Sequence, residues 1–385
     1  MKKICIVVTS PFYIEVFVAS QIRALSKLYE VTVIVNTQEV GLLQSLGIDA
    51  KLIQVRIERK IHPLNDIRAL LELFRIFRER EFDVVHSATP KAGLLAMVAS
   101  FMALIPIRIH TFTGQVWVTK KGIMRLLIKL ADKVTAFFAS DILVDSSSQR
   151  EFIVEEGVVP SSKASVLANG SVSGVDVNRF RPDPEFRAKI RKALRIPINS
   201  FVILYMSRLT RDKGAIMMAK IFAKYGVGSQ GSHLLIVGPD EESLRPQMKE
   251  VCWHCSNQVH FVDQVHCPEE YMASADVFCL PSYREGFGTV LINAAAAGIP
   301  AIASRIYGSS DAVVDGVTGF LFEPGNISEG ARLLEHLEAH PELRSSMGIR
   351  ARARAIEKYS EELLTNSLLL FYENRLDMLP CARSP

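Results

Sequence analysis

Short apolar runs separated by helix-length stretches recur along this chain in two series, and that alternation restricts the fold more than any other feature. In the first series the runs fall at residues 4–8, 31–35, 84–85, 108–111 and 141–144; in the second, at 201–206, 234–237, 259–262, 277–280, 300–303 and 319–322. Unbroken apolar strands are buried on both faces, so helical crossovers must cover them and the sheet is parallel. Two Rossmann-like, doubly wound α/β sheets are the expectation, because 385 residues also exceed what one core usually serves. Between the series, residues 169–182 are rich in Asn, Gly and Ser and end in Pro182. The link is therefore predicted near 175–183, with an N-terminal domain over 1–178 and a C-terminal domain over 179–360. A helix is predicted over 361–376 with Leu363, Leu364, Leu368, Leu369 and Phe371 on its packed face, and disorder is expected over 377–385. Ligands of such sheets bind outside the strands' carboxyl ends, so two facing domains imply a cleft between them.

Net charge is +4, but 15 basic and 7 acidic residues lie between Lys51 and Lys133. Such a basic stretch suits an anionic partner, whether lipid headgroups, a lipid diphosphate or nucleic acid, and it also fits ordinary solvated helix faces. Met1-Lys2-Lys3 before residues 4–8 has a signal-like charge, yet Pro11 and Glu15 interrupt the apolar run. Residues 92–107 are too short for the roughly 20 that a spanning helix needs, which favours a buried helix. Cys252-Trp-His-Cys255 has the spacing of a metal site, but no second such pair follows, and free thiols are expected. No G-x-G-x-x-G follows the first run; the loop reads Thr9-Ser10-Pro11-Phe12-Tyr13, which argues against a dinucleotide oxidoreductase.

Two strand ends in the second half carry the chemistry. After residues 201–206 the chain reads Ser207-Arg208-Leu209-Thr210-Arg211-Asp212-Lys213-Gly214, which offers cations at one strand end. After residues 277–280 it reads Pro281-Ser-Tyr-Arg-Glu285-Gly-Phe-Gly-Thr289 and enters an Ala-rich helix, so free N–H groups and a positive helix end stand beside an acid. These two segments resemble the hallmarks of the retaining glycosyltransferases of family four, which have the GT-B fold of two facing Rossmann-like domains. The family's second element carries a further Glu seven residues after the first, whereas this chain has Asn293.

The resemblance assigns roles. Arg208 and Lys213 would neutralise the leaving diphosphate, and Glu285 would contact the donor sugar or support an oxocarbenium-like state. Gly286, Phe287, Gly288 and Thr289 would hold the diphosphate through N–H groups and the Thr hydroxyl. Asn293 could hydrogen-bond a ribose hydroxyl as a neutral amide, or be purely structural. In the first half, residues 86–94 and 108–114 resemble the subgroup that builds bacterial surface polysaccharides. Pro90 at a helix start places Lys91 where dipole and charge could meet a phosphate. Many members have His directly before the glycine; here Thr113 precedes Gly114 and His110 lies three earlier, so either could reach the donor sugar. Residues 120–133 mix apolar and basic residues at helical spacing, as an interfacial helix or one covering the first sheet would.

The resemblance implies a retaining glycosyltransferase that moves a hexose or N-acetylhexosamine from a UDP-sugar to a lipid-linked, polyprenyl-diphosphate saccharide. It implies no cofactor and no metal, since Arg208 and Lys213 would stand in for a divalent ion. The expected partners are the nucleotide-sugar donor, the lipid-linked acceptor and an anionic membrane surface rather than nucleic acid. The expected location is peripheral, on the cytoplasmic face of the membrane. A UDP-sugar 2-epimerase of similar architecture and a non-catalytic nucleotide-sugar-binding protein are the alternatives.

Overall fold

The computed structural model describes residues 1–59, 61–226 and 231–379; the end of the expected disordered tail, 380–385, lies outside them. The chain divides into two compact units, Met1–Ser173 with Glu361–Pro385, and Gly174–Ser360. In the first unit the strands are β1 (Lys3–Val7), β2 (Glu30–Val35), β3 (Lys51–Gln54), β4 (Val84–Ala88), β5 (Ile107–Phe112), β6 (Asp141–Val144) and β7 (Ala164–Val166). They form one parallel sheet in the order β3-β2-β1-β4-β5-β6-β7. The two edge strands, β3 and β7, escape the apolar-run criterion for a physical reason. Each has one neighbour and neither is fully buried, so neither has to be apolar throughout.

One face of this sheet is covered by helices Pro63–Arg80, Pro90–Met102 and Gly122–Phe138, whose Leu73, Phe77, Ala96, Met97 and Ala136 enter the core. Residues 92–102 therefore belong to a buried helix, and among the described residues no helix is long and apolar enough to cross a membrane. The other face carries helices Ala19–Ser26 and Glu361–Asp377. In the terminal helix Leu364, Leu368, Tyr372 and Leu376 are buried at four-residue spacing, and Leu369 and Phe371 pack beside them. Tyr372 ties the helix to the sheet: its hydroxyl lies 2.7 Å from His86 Nδ1. Arg375 Nε donates to Asp141 at 2.6 Å.

The second unit contains β8 (Phe201–Met206), β9 (Ser232–Val237), β10 (Val259–Val262), β11 (Val277–Leu280), β12 (Ala301–Ser304) and β13 (Gly319–Phe322). They form a parallel sheet in the order β10-β9-β8-β11-β12-β13. β12 starts one residue later than the apolar run, after Pro300, whose carbonyl still accepts from Phe278 N at 3.0 Å. Arg191, 1% exposed, anchors helix Pro184–Ala193 under the sheet by donating to the carbonyls of Ser274, Ile198 and Ser200 and to Asp276. Cys252 is buried, its thiol donates to the Ala219 carbonyl at 3.4 Å, and burial pushes that thiol up to about 12.

Candidate functional site

In the second unit the strand order reverses between β8 and β11, which are neighbours although β9 and β10 intervene in sequence. The two chain segments leaving their carboxyl ends diverge at such a switch point, and this opens a crevice for ligands. The segment after β8 is Ser207–Gly214, and the segment after β11 is Pro281–Gly288. The pieces singled out from the sequence thus meet at the one edge of this sheet where a ligand is expected.

Several contacts hold the two loops together. Lys213 Nζ lies 2.8 Å from Glu285 Oε2, and both side chains are largely buried, at 15% and 9% exposure. Ser282 Oγ donates to the other Glu285 oxygen at 2.8 Å. Arg284 donates to Asp212 Oδ2 at 2.7 Å, and Tyr283 N donates to the Asp212 carbonyl at 2.9 Å. Gly214 adopts φ +74°, and a Cβ there would stand 1.9 Å from the Pro281 carbonyl oxygen, so only glycine permits this approach. Burial alone would raise the Asp212 acid, but the Thr210 hydroxyl at 2.5 Å and the Arg284 guanidinium hold it down to about 2. Arg208 extends toward the segment after β9 and donates to Glu241 at 2.7 Å.

Gly286, Phe287 and Gly288 are buried in the turn before helix Thr289–Ala296, and Gly288 has φ +76° as its N-cap. Gly308, after β12, presses on this turn: a Cβ there would come within 2.4 Å of the Gly286 carbonyl oxygen. Thr289 and Asn293 are half-buried on the helix, one turn apart on the same side.

The first unit repeats the switch-point arrangement between β1 and β4. Thr9, after β1, and Thr89, after β4, bring their hydroxyls to 3.2 Å. Thr89 has φ 72°, a strained conformation for a β-branched residue, at the start of helix Pro90–Met102. Lys91 follows at that helix start, with its ammonium 2.8 Å from Asp66. Thr113 is half-buried just past β5. His110 is placed differently from the expectation of a donor contact. Its ring is 1% exposed, lies 2.9 Å from Ser87 Oγ and is covered by the helix at Gly93, where a Cβ would sit 2.3 Å from the ring. Burial lowers His110 to about 3 and His86 to about 4, so both are neutral at pH 7.

The model of the glycosyl transferases group 1 family matches residues 186–354, and that of the glycosyl transferase 4-like domain matches residues 14–170. A capsular polysaccharide biosynthesis glycosyltransferase, CapM, of Staphylococcus aureus is 31% identical over 84% of this chain and 84% of its own. The chain belongs to glycosyltransferase family four.

This glycosyltransferase is also 27% identical to a UDP-Gal:alpha-D-GlcNAc-diphosphoundecaprenol alpha-1,3-galactosyltransferase of Escherichia coli, over 70% of each chain. Its fold is GT-B: the Anabaena protein Alr3699/HepE, solved in complex with UDP-glucose, superposes with a TM-score of 0.80 at 20% identity over 97% of this chain and all of that one.

Sequence reasoning on the glycosyltransferase missed Asp212, Ser282 and Arg284, although all three lie inside the two quoted segments. The available signal was the order of charges, Asp-Lys in one loop and Arg-Glu in the other.

Proposed function

We propose that this glycosyltransferase moves a hexose or N-acetylhexosamine from a UDP-sugar to a lipid-linked, polyprenyl-diphosphate saccharide, with retention of anomeric configuration, during surface polysaccharide synthesis. The observation that carries the reading is the meeting of Lys213 and Glu285 at the β8/β11 switch point. Cleavage of a sugar–diphosphate bond leaves negative charge on phosphate and partial positive charge on the anomeric carbon. A cation and a carboxylate fixed side by side suit those opposite charges. The E. coli relative, named for a UDP-Gal donor and a diphosphoundecaprenol acceptor, supports both substrate classes, and the S. aureus relative supports polysaccharide synthesis.

In this reading Lys213 and Arg208 stabilise the leaving diphosphate, one as a point charge and the other as a planar fork. Glu285 faces the sugar, while the amides of Gly286, Phe287 and Gly288 and the Thr289 hydroxyl hold phosphate oxygens. The Asn293 amide bonds a ribose hydroxyl. The acceptor hydroxyl attacks from the face of the departing phosphate, which takes its proton. The two cations provide the positive charge that a divalent ion would otherwise supply. Lys91, after β4, and Thr113, after β5, serve at the carboxyl ends of neighbouring strands, and buried His110 supports this edge through Ser87 and the helix above it.

The acceptor's lipid gives meaning to an unusual face of the first unit. Helix Gly122–Phe138 turns Thr135 and Ala136 inward and leaves Ile123, Leu126, Leu127, Leu130 and Phe137 exposed, by 53–75%. Phe101, Met102 and Leu104 add to this apolar surface through the Phe101–Phe138 ring contact at 4.8 Å. Exposed Lys120 and Lys121 precede the helix, and Lys133 lies beside the stripe at helical spacing. An apolar stripe flanked by cations is the pattern of a helix lying in an anionic bilayer interface, and this face holds the enzyme on the cytoplasmic side of the membrane in our reading.

Incubation with radiolabelled UDP- and GDP-sugars and bacterial membranes tests the whole. Lipid-extractable product bears out transfer. An epimerised nucleotide sugar without acceptor points to a 2-epimerase, and saturable binding without turnover to a binding protein.

A further inference from the structure

Two consecutive residues of the β8 loop pair with two consecutive residues of the β11 loop, and the charges are reversed between them. Asp212 meets Arg284 at 2.7 Å, and Lys213 meets Glu285 at 2.8 Å. A slip of one residue in one direction would set Asp212 against Glu285, and in the other direction Lys213 against Arg284, so either slip opposes like charges in a poorly solvated place. The pattern therefore specifies one register of loop against loop. A pyrophosphate entering the site competes with Glu285 for the Lys213 ammonium, so the second pair loosens when it is used. The first need not, because Asp212 is also held by Thr210 and by the backbone of Tyr283.

We propose that the Asp212–Arg284 ion pair is a clamp that fixes the distance between the β8 and β11 loops, so that Lys213 and Glu285 can part for the donor without losing their positions. This deepens the donor-site reading and rests on it. Arg284 and Asp212 are positioning residues here: they act through their neighbours in sequence. The observed burial agrees, since the Arg284 side chain is 14% exposed, while the neighbouring Arg211–Glu242 contact is 67% and 42% exposed and too loose, at 3.9 Å, for such a task.

The test is calorimetric titration of the full chain with UDP, GDP and the two corresponding monophosphates, for wild type, Asp212→Asn, Arg284→Gln, the double variant and Arg284→Lys. Whichever diphosphate binds wild type should bind each single variant at least about fivefold more weakly, with the double variant no worse than the weaker single, as for two residues acting as one unit. Arg284→Lys should retain affinity within that same margin, about fivefold, and so should monophosphate binding to every variant. Losses smaller than this, losses that multiply in the double variant, or equal losses of mono- and diphosphate would overturn the clamp. A wild type that binds neither diphosphate overturns the donor-site reading itself, a distinguishable outcome. If Arg284→Gln fails to fold, Asp212→Asn and Arg284→Lys carry the comparison.

Discussion

Lys213 Nζ stands 2.8 Å from Glu285 Oε2, joining a loop that leaves β8 to one that leaves β11 across 72 residues of sequence. The pair brings together opposite charges that are both largely shielded from solvent. It also brings to one point a cation suited to a leaving phosphate and a carboxylate suited to a sugar. Removing either partner should therefore disturb chemistry more than fold, because Ser282 still donates to Glu285 and backbone contacts still join the loops.

Lys213→Ala should lower turnover at least tenfold, since loss of one well-aimed donor to developing negative charge costs about 3–4 kcal/mol of barrier. Steady-state transfer to a lipid-linked acceptor checks this. An unchanged rate removes Lys213 from the mechanism.

Asn293→Glu should tighten donor binding. A carboxylate accepts a ribose hydroxyl in a charge-assisted bond roughly twice as strong as one made by a neutral amide. Residue 293 is half-buried on helix Thr289–Ala296, one turn beyond Thr289. Equal or weaker affinity for the UDP-sugar, read by calorimetry, would count against the ribose role.

Replacing Ile123, Leu127 and Leu130 together by Asn should reduce co-flotation with phosphatidylglycerol vesicles at least tenfold. Each apolar side chain contributes about 1.5–3 kcal/mol when fully buried, and only part of that is needed. The thermal midpoint should hardly move, because these side chains face outward at 53–69% exposure. Equal flotation of variant and wild type would discard this face as the lipid contact.

Asp132 makes a pH prediction. Its carboxylate is buried and accepts from Trp117 Nε1 at 2.8 Å; burial pushes its acid up to about 7, with the Trp117 bond working against that. A folded-state value above the ordinary one means that the folded protein keeps a proton which the unfolded chain releases. Its contribution is complete below about pH 4 and is lost as pH rises through about 7. Asp132→Asn lacks this loss, so from pH 5 to 7 its stability relative to wild type should rise by about 2 kcal/mol. Buried neutral His86 and His110 act in the opposite direction over that window, but they are common to both proteins and cancel in the comparison. Denaturant titrations at the two pH values measure the difference, and a constant gap would refute it.

The central strands of both sheets are legible in the sequence because a strand covered on both faces is apolar along most of its length, although β4 and β5 also carry His86, Ser87, Arg108 and His110. The two segments that meet at the β8/β11 switch point are legible for a related reason: their cations, glycines and acid stand directly after apolar runs. The edge strands β3 and β7 are not, because partial exposure relaxes the demand on their residues. The stripe on residues 122–138 is visible as an amphipathic pattern, yet periodicity says only that one side is apolar and not whether that side faces the sheet or the solvent. His110 reads like a site residue by its neighbours, and packing against Gly93 makes it an interior one. Asp212 and Arg284 look like two solvated charges until the sheet order sets β8 beside β11. Local composition determined which segments were strands, helices and turns; the pairing of distant charges and the direction of each face were decided by the tertiary structure, because both depend on which strands become neighbours.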